Sequence, residues 1–176
     1  MNYTGSISVM LQELDGAFMH TFKLEEGRTS RDLPCHSKSR KHRKKKIPLA
    51  NGDEIDMDLS RIDPESPLLW LRLDPDLAVI RNIHTEQTDF MWHLQLSYDR
   101  DCLGQLEAVC ALADFPSTET RLALSSIIAN EKTFYRVRME ACFIICRVVN
   151  EMLPMANLGV GCGSGTGIQI GSSELL

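Results

Sequence analysis

Apolar and polar positions alternate with period two at the start of the chain. Ile7-Ser-Val9-Met-Leu11-Gln12 does so cleanly, and Phe18-Met-His-Thr-Phe22-Lys-Leu24 less cleanly. Asp15-Gly16 lies between them and accepts the positive φ angles of a two-residue turn, so the first 25 residues are expected to form a β-hairpin. Two strands alone are marginal in water, and this ribbon needs partners. Arg28 to Lys46 holds little apolar material and reads as a loop. Asn51-Gly52 is a second turn signal, followed by a short strand over Asp53–Leu59 and an apolar-rich strand over Leu68–Leu73. Asp74-Pro75 then turns the chain, and Leu77–Ile83 is the expected return strand.

From about Asp89 the period becomes helical. Phe90 to Tyr98 fits either helix or strand. Leu103, Leu106, Cys110 and Ala113 fall at i, i+3, i+7 and i+10, one face of a helix that Phe115-Pro116 ends. Ser117 is a good N-cap for the next helix, whose apolar side is Leu124, Ile127 and Ile128. A third helix starts near Thr133 and carries Phe134, Val137, Ala141, Ile144, Ile145, Val148 and Met152 at 3–4 spacing. Helices joined by short loops, each with one apolar stripe, are the pattern of stacked helical repeats. About one and a half such repeats do not bury their stripes unaided.

Charge changes this picture most. The 176 residues hold 19 Lys+Arg against 24 Asp+Glu, a formal net charge of −5. Seven of the basic residues fall between positions 38 and 46: Lys38, Arg40, Lys41, Arg43, Lys44, Lys45 and Lys46. Without them the balance is 12 basic to 24 acidic, a body at −12 carrying a patch of +7. Mutual repulsion is expected to keep that run extended and solvated. Its density makes it the candidate for nuclear import or for contact with DNA phosphates. With no aromatic inside it, any nucleic-acid contact would be sequence-nonspecific.

Other chemistry is excluded more easily. No apolar run approaches the roughly 20 residues that cross a bilayer, and the first 20 positions do not read as a signal peptide. Six cysteines at irregular positions (35, 102, 110, 142, 146 and 162) suit a reduced intracellular protein better than a disulfide scaffold. No two of His20, His36, His42, His84 and His93 stand one helical turn apart, and H-E-x-x-H is absent. Cys142 and Cys146 do stand one turn apart and could bridge a metal, although such cysteines are more often small core side chains. Glu54, Asp56, Asp58 and Glu65 imitate a calcium loop, but the sixth position, which needs glycine, is Leu59. The stretch from Gly159 to Gly167 has neither the dinucleotide fingerprint nor a P-loop lysine. The reading therefore contains no catalytic residue, no metal ligand and no cofactor.

Several stretches carry a family resemblance: Pro34-Cys-His-Ser-Lys-Ser-Arg40, Lys44-Lys-Lys-Ile-Pro-Leu49, Asp56-Met-Asp-Leu59, Ser66-Pro-Leu-Leu-Trp70, Phe115-Pro116 and Phe134-Tyr-Arg-Val-Arg-Met139. From about Gln12 to Asn150 the chain resembles the family of the second subunit of the general transcription factor TFIID, itself similar in fold to the zinc aminopeptidases. The resemblance implies an α+β chain: part of an antiparallel β-sandwich, then the start of an α-helical (HEAT/armadillo-like) repeat domain. Residues 1–86 would form the sandwich portion with a disordered basic loop at 28–47 and residues 87–153 the start of the repeats; residues 154–176, where the resemblance fades, read from their own composition as a Gly-rich disordered tail. It also implies an interior piece of a longer protein, without the domain in which an aminopeptidase holds its metal. The expected role is a nuclear, non-catalytic scaffold for TFIID assembly and core-promoter contact, with other TFIID subunits and promoter DNA as partners and neither a membrane nor a small-molecule substrate. The alternative is a fragment of a zinc aminopeptidase lacking its catalytic domain.

Overall fold

The computed structural model describes residues 4–37, 44–48, 54–58, 67–79 and 83–158. The expected hairpin forms from β1 (Ser6–Glu13) and β2 (Gly16–Lys23). Glu13 pairs with Gly16, so the turn residues are Leu14 and Asp15, one position earlier than the Asp15-Gly16 turn expected. Gly16 still takes the conformation that L side chains avoid, with φ +142°. The strand Leu68–Leu73 (here β5) joins the other edge of β1, giving the antiparallel order β2-β1-β5. The register sets Ile7, Val9, Leu11 and Glu13 on one face with Phe18, His20, Phe22, Leu71 and Leu73. Trp70 and Arg72 occupy the opposite face of β5 and are buried there too.

A separate two-stranded ribbon pairs β3 (Lys44–Pro48) with β4 (Glu54–Asp58). The loop expected over 28–47 is therefore corrected at its end, where Lys44 to Ile47 are strand. The register supplies the reason. Lys44 stands opposite Asp58 and Lys46 opposite Asp56, a backbone pairing between two segments that a reading by charge and period along one segment does not anticipate. The expected return strand over Leu77–Ile83 is not seen at 77–79 or at Ile83, and 80–82 lie outside the described residues. Asp74 diverts the chain: its carboxylate accepts the N–H of Ala78 (2.9 Å) and of Val79 (3.1 Å), and its carbonyl accepts that of Leu77 (3.0 Å).

Four helices follow, α1 (Asp89–Tyr98), α2 (Cys102–Ala111), α3 (Thr118–Ala129) and α4 (Tyr135–Leu158). Thr88, Asp101 and Ser117 cap the first three with side-chain oxygens that accept backbone N–H groups. The ambiguous segment 90–98 is helix α1, and two apolar sides account for its mixed pattern. Trp92 and Leu96 join the helical core of Ala108, Val109, Leu112, Leu124, Val137, Ala141 and Val148. Leu94, with Phe90, Met91 and Tyr98, packs instead on Leu14, Leu69 and Trp70 of the sheet. The α3 and α4 stripes pack as expected, except that Phe134 is exposed. On α2 the expected face is corrected in part. Leu106 packs on the core and Ala113 is buried as expected, but Leu103 and Cys110 are exposed, and the buried side of the helix is Gly104, Ala108 and Val109. This helix is apolar nearly all round, and Leu103, Leu106 and Cys110 line a cavity of about 710 Å³ beside β5. The tail boundary at 154 is also corrected, since α4 runs on through Pro154 to Leu158. Residues 159–176 lie outside the described residues.

Candidate nucleic-acid interface and its junction

The seven basic residues divide. Lys44, Lys45 and Lys46 lie in β3, while Lys38, Arg40, Lys41 and Arg43 lie outside the described residues. The ribbon as described holds three lysines and three acids (Glu54, Asp56, Asp58), a formal balance of zero. Lys46 is exposed and borders a cavity of about 410 Å³ that Gln12, Glu13, Trp70, Tyr98 and Arg100 also line. That places the ribbon at the turn end of the β1–β2 hairpin.

A buried carboxylate straps the segment leading into the basic run to the same end. Glu13 is 1% exposed. Its carboxylate accepts the N–H of His36 at 3.0 and 3.1 Å and of Ser37 at 2.6 Å, and Ser37 Oγ accepts the N–H of Asp15 at 3.1 Å. The His36 ring stacks on His20 (5.3 Å between centroids) and leans on Phe18 (4.6 Å). Burial alone would raise the Glu13 pKa, but the Ser37 and His36 hydrogen bonds and the His36 charge outweigh it and hold it below the usual carboxylate value. The start of the basic segment is thus moored to the sheet.

A second polar cluster joins the sheet to the helices. Arg72 on β5 is 3% exposed and reaches into the α1–α2 connection. Its Nη1 donates to Asp101 (2.7 Å) and its Nε to Glu107 (3.1 Å), with Asp99 3.7 Å away. One guanidinium thus faces three acids. Burial lowers the Arg72 pKa, but the hydrogen bond to Asp101 and the charges of Glu107, Asp99 and Asp101 outweigh this and hold it above its ordinary value. Burial raises the Asp99 pKa, and the like charges of Asp101 and Glu107 add to it; the Asp101 N–H and Arg72 compensate only in part. Gly104 makes room for the cluster, since an added Cβ would collide with the Asp99 carboxylate and come within 3.1 Å of Arg72 Cζ.

Beside it, the Gln87 side chain takes the place of a neighbouring strand. Its Oε1 accepts the Leu71 N–H (2.9 Å) and its Nε2 donates to the Leu71 carbonyl (3.1 Å), covering the edge of β5. The same Nε2 lies 3.3 Å from Gln95 Oε1, and buried Gln95 donates to the Gly104 carbonyl (3.0 Å). Sheet, linker, α1 and α2 are thus tied by one chain of hydrogen bonds. Sequence reading missed all of these residues. A charge inside the apolar strand Leu68–Leu73 and a glycine inside a helix were the available signals.

Among the described residues no group of three or more His, Cys, Asp or Glu side chains could hold a metal ion, and no helix is long and apolar enough to cross a membrane. Cys142 and Cys146, expected in the core if not on a metal, are exposed on α4.

An antiparallel sheet joined to a run of packed helices through a buried polar cluster is a two-module α+β architecture. Comparison makes the class specific. A family model described as the TAF2 Ig-like domain matches residues 1–88, and one described as TAF2-like, TPR repeats matches residues 89–160. The chain belongs to the TAF2 family, that of TFIID subunit 2. It is 54% identical over 151 residues to transcription initiation factor TFIID subunit 2 of Gallus gallus, covering 86% of this chain and 13% of that protein. The same protein of Danio rerio is 52% identical (86% and 13%), and that of Drosophila melanogaster 48% identical (86% and 12%). The chain therefore spans about an eighth of the length of the curated relatives it matches. The α+β class holds, and the repeats expected as HEAT/armadillo-like carry a TPR description.

Proposed function

We propose that this chain is a non-catalytic bracket of TFIID, acting in the nucleus to support complex assembly with other TFIID subunits and contact with core-promoter DNA and chromatin. The observation that carries the reading is the continuous match of residues 1–160 to two TAF2 modules, in relatives named as a transcription initiation factor. The buried Arg72 cluster fits a bracket, because it fixes the direction in which the helices leave the sheet. A fragment of a zinc aminopeptidase, the alternative, is not favoured by the relatives' name.

Within this reading the basic run serves nuclear import or phosphate contact. The acidic partner strand of Lys44, Lys45 and Lys46 shifts the weight of the proposal to Lys38, Arg40, Lys41 and Arg43. Two alanine sets test it on promoter duplex, one at the first four cations and one at the three ribbon lysines. Affinity is expected to fall with salt at a log–log slope of about −0.9 per phosphate contacted, and the first set is expected to flatten that slope more than the second. Salt-insensitive binding, or none at low salt, removes the DNA contact. Unchanged nuclear accumulation of a fused reporter in both sets removes the import role.

A further inference from the structure

Helix α4 carries two apolar faces, and the fold uses only one. Val137, Ala141, Ile144, Ile145, Val148 and Met152 turn inward onto α2 and α3. About 150° around the axis, at 3.6 residues per turn, run Tyr135, Met139, Cys142, Phe143, Cys146 and Leu153. All are exposed, Phe143 at 66%, Tyr135 at 60% and Leu153 at 56%. The spacing i, i+4, i+7, i+8, i+11, i+18 spans nearly the whole 24-residue helix, so the surface complementary to it is a rod. A contiguous apolar face of this kind on a water-exposed helix marks an interface.

We propose that the outer face of α4 receives a further amphipathic helix of the same repeat array. Three observations favour that occupant. The matched family is described as TPR repeats, and helical repeats bury each unit's outer stripe under the next. The chain accounts for only 13% of the chicken and zebrafish relatives' lengths. The border of the stripe alternates in sign through Arg136, Glu140, Arg147 and Glu151, with Arg147 and Glu151 paired at 3.2 Å. Such a mixed border suits a neighbouring helix and gives no single-sign field for nucleic acid. The proposal needs the repeat architecture but no DNA contact, so its failure and that of the bracket reading are separable.

Cys142 and Cys146 lie on this face and Cys35 lies on the sheet side, all exposed, so the chain contains its own reporters. The test mixes the whole chain with the segment of the chicken relative that directly follows the matched stretch, and reads maleimide labelling cysteine by cysteine alongside sedimentation. A one-to-one complex that protects Cys142 and Cys146 but not Cys35 is expected. Phe143→Asp is expected to weaken it about tenfold while leaving the thermal melt in place, because that side chain is already in water. Met139→Asp serves as the second variant. The proposal is overturned by absence of a complex, by a complex that leaves both thiols labelled, or by a self-dimer that buries them and is not displaced by the segment.

Discussion

Glu13 and Asp99 are both carboxylates withdrawn from water, one at each side of the sheet, and their neighbours treat them in opposite ways. Glu13 is met by backbone N–H groups from His36 and Ser37, which are fixed in place and carry no competing charge. Asp99 shares one guanidinium with Asp101 and Glu107, and its Oδ2 accepts no hydrogen bond among the described residues. The pKa moves down in the first case and up in the second. Burial therefore does not decide the fate of a carboxylate. The supply of donors aimed at it does.

Removing the cation from the second region is the strongest way to break the comparison. Arg72→Met leaves Asp99 buried beside two like charges. The expected loss in a denaturant titration is about 3 kcal/mol, at the low end for a broken buried pair because Asp101 and Glu107 keep part of their surface in water. A loss below about 1 kcal/mol would mean that the joint is not electrostatic.

The first region is more local. Glu13→Gln keeps the shape but exchanges charge-assisted hydrogen bonds for weaker ones, at an expected cost of about 2 kcal/mol. Amide exchange at His36 and Ser37 is expected to quicken, because these two N–H groups are what the carboxylate holds. Equal protection of both amides in variant and parent would show the strap is held by something else.

The finest test is a difference in sign with pH. The depressed Glu13 pKa contributes stability above the ordinary carboxylate value, and this is lost as pH falls through the folded one. The gap between parent and Glu13→Gln is therefore expected to narrow on acidification. The raised Asp99 pKa works the other way: the fold is favoured while that carboxyl is protonated, and loses stability as pH rises through the folded value. The stability of Asp99→Asn relative to the parent is accordingly expected to improve as pH rises. Parallel pH slopes for the two variants would erase the contrast.

The hairpin, the strand at 68–73, the Ser117 cap and the inner stripes of α3 and α4 were legible because local physics sets them: period-two or period-3.6 burial, turn glycines and caps. The α2 face was misread at Leu103 and Cys110 because apolar residues surround that helix, and nothing within ten residues distinguishes the side meeting Val137 and Ala141 from the side meeting a cavity. The pairing of Lys44–Pro48 with Glu54–Asp58 was not legible, because it depends on the backbone register between two segments and on neither segment's own period or charge. Only the register with Glu54–Asp58 shows lysine set against aspartate. Asp74-Pro75 was correctly placed as a turn, yet the two N–H groups gathered by the Asp74 side chain kept Ala78 and Val79 out of a strand.

What the sequence determined by itself is the order of the two modules, the family to which they belong and the excess of cation at 38–46, since each depends on residue type and spacing along the chain. The tertiary structure alone decided which charges are neutralised, where Arg72 and Glu13 find their partners, and which stripe of α4 stays in water. Those outcomes turn on groups such as Arg72 and Glu107, or Glu13 and Ser37, that lie 35 and 24 positions apart and meet only when the sheet and helices close.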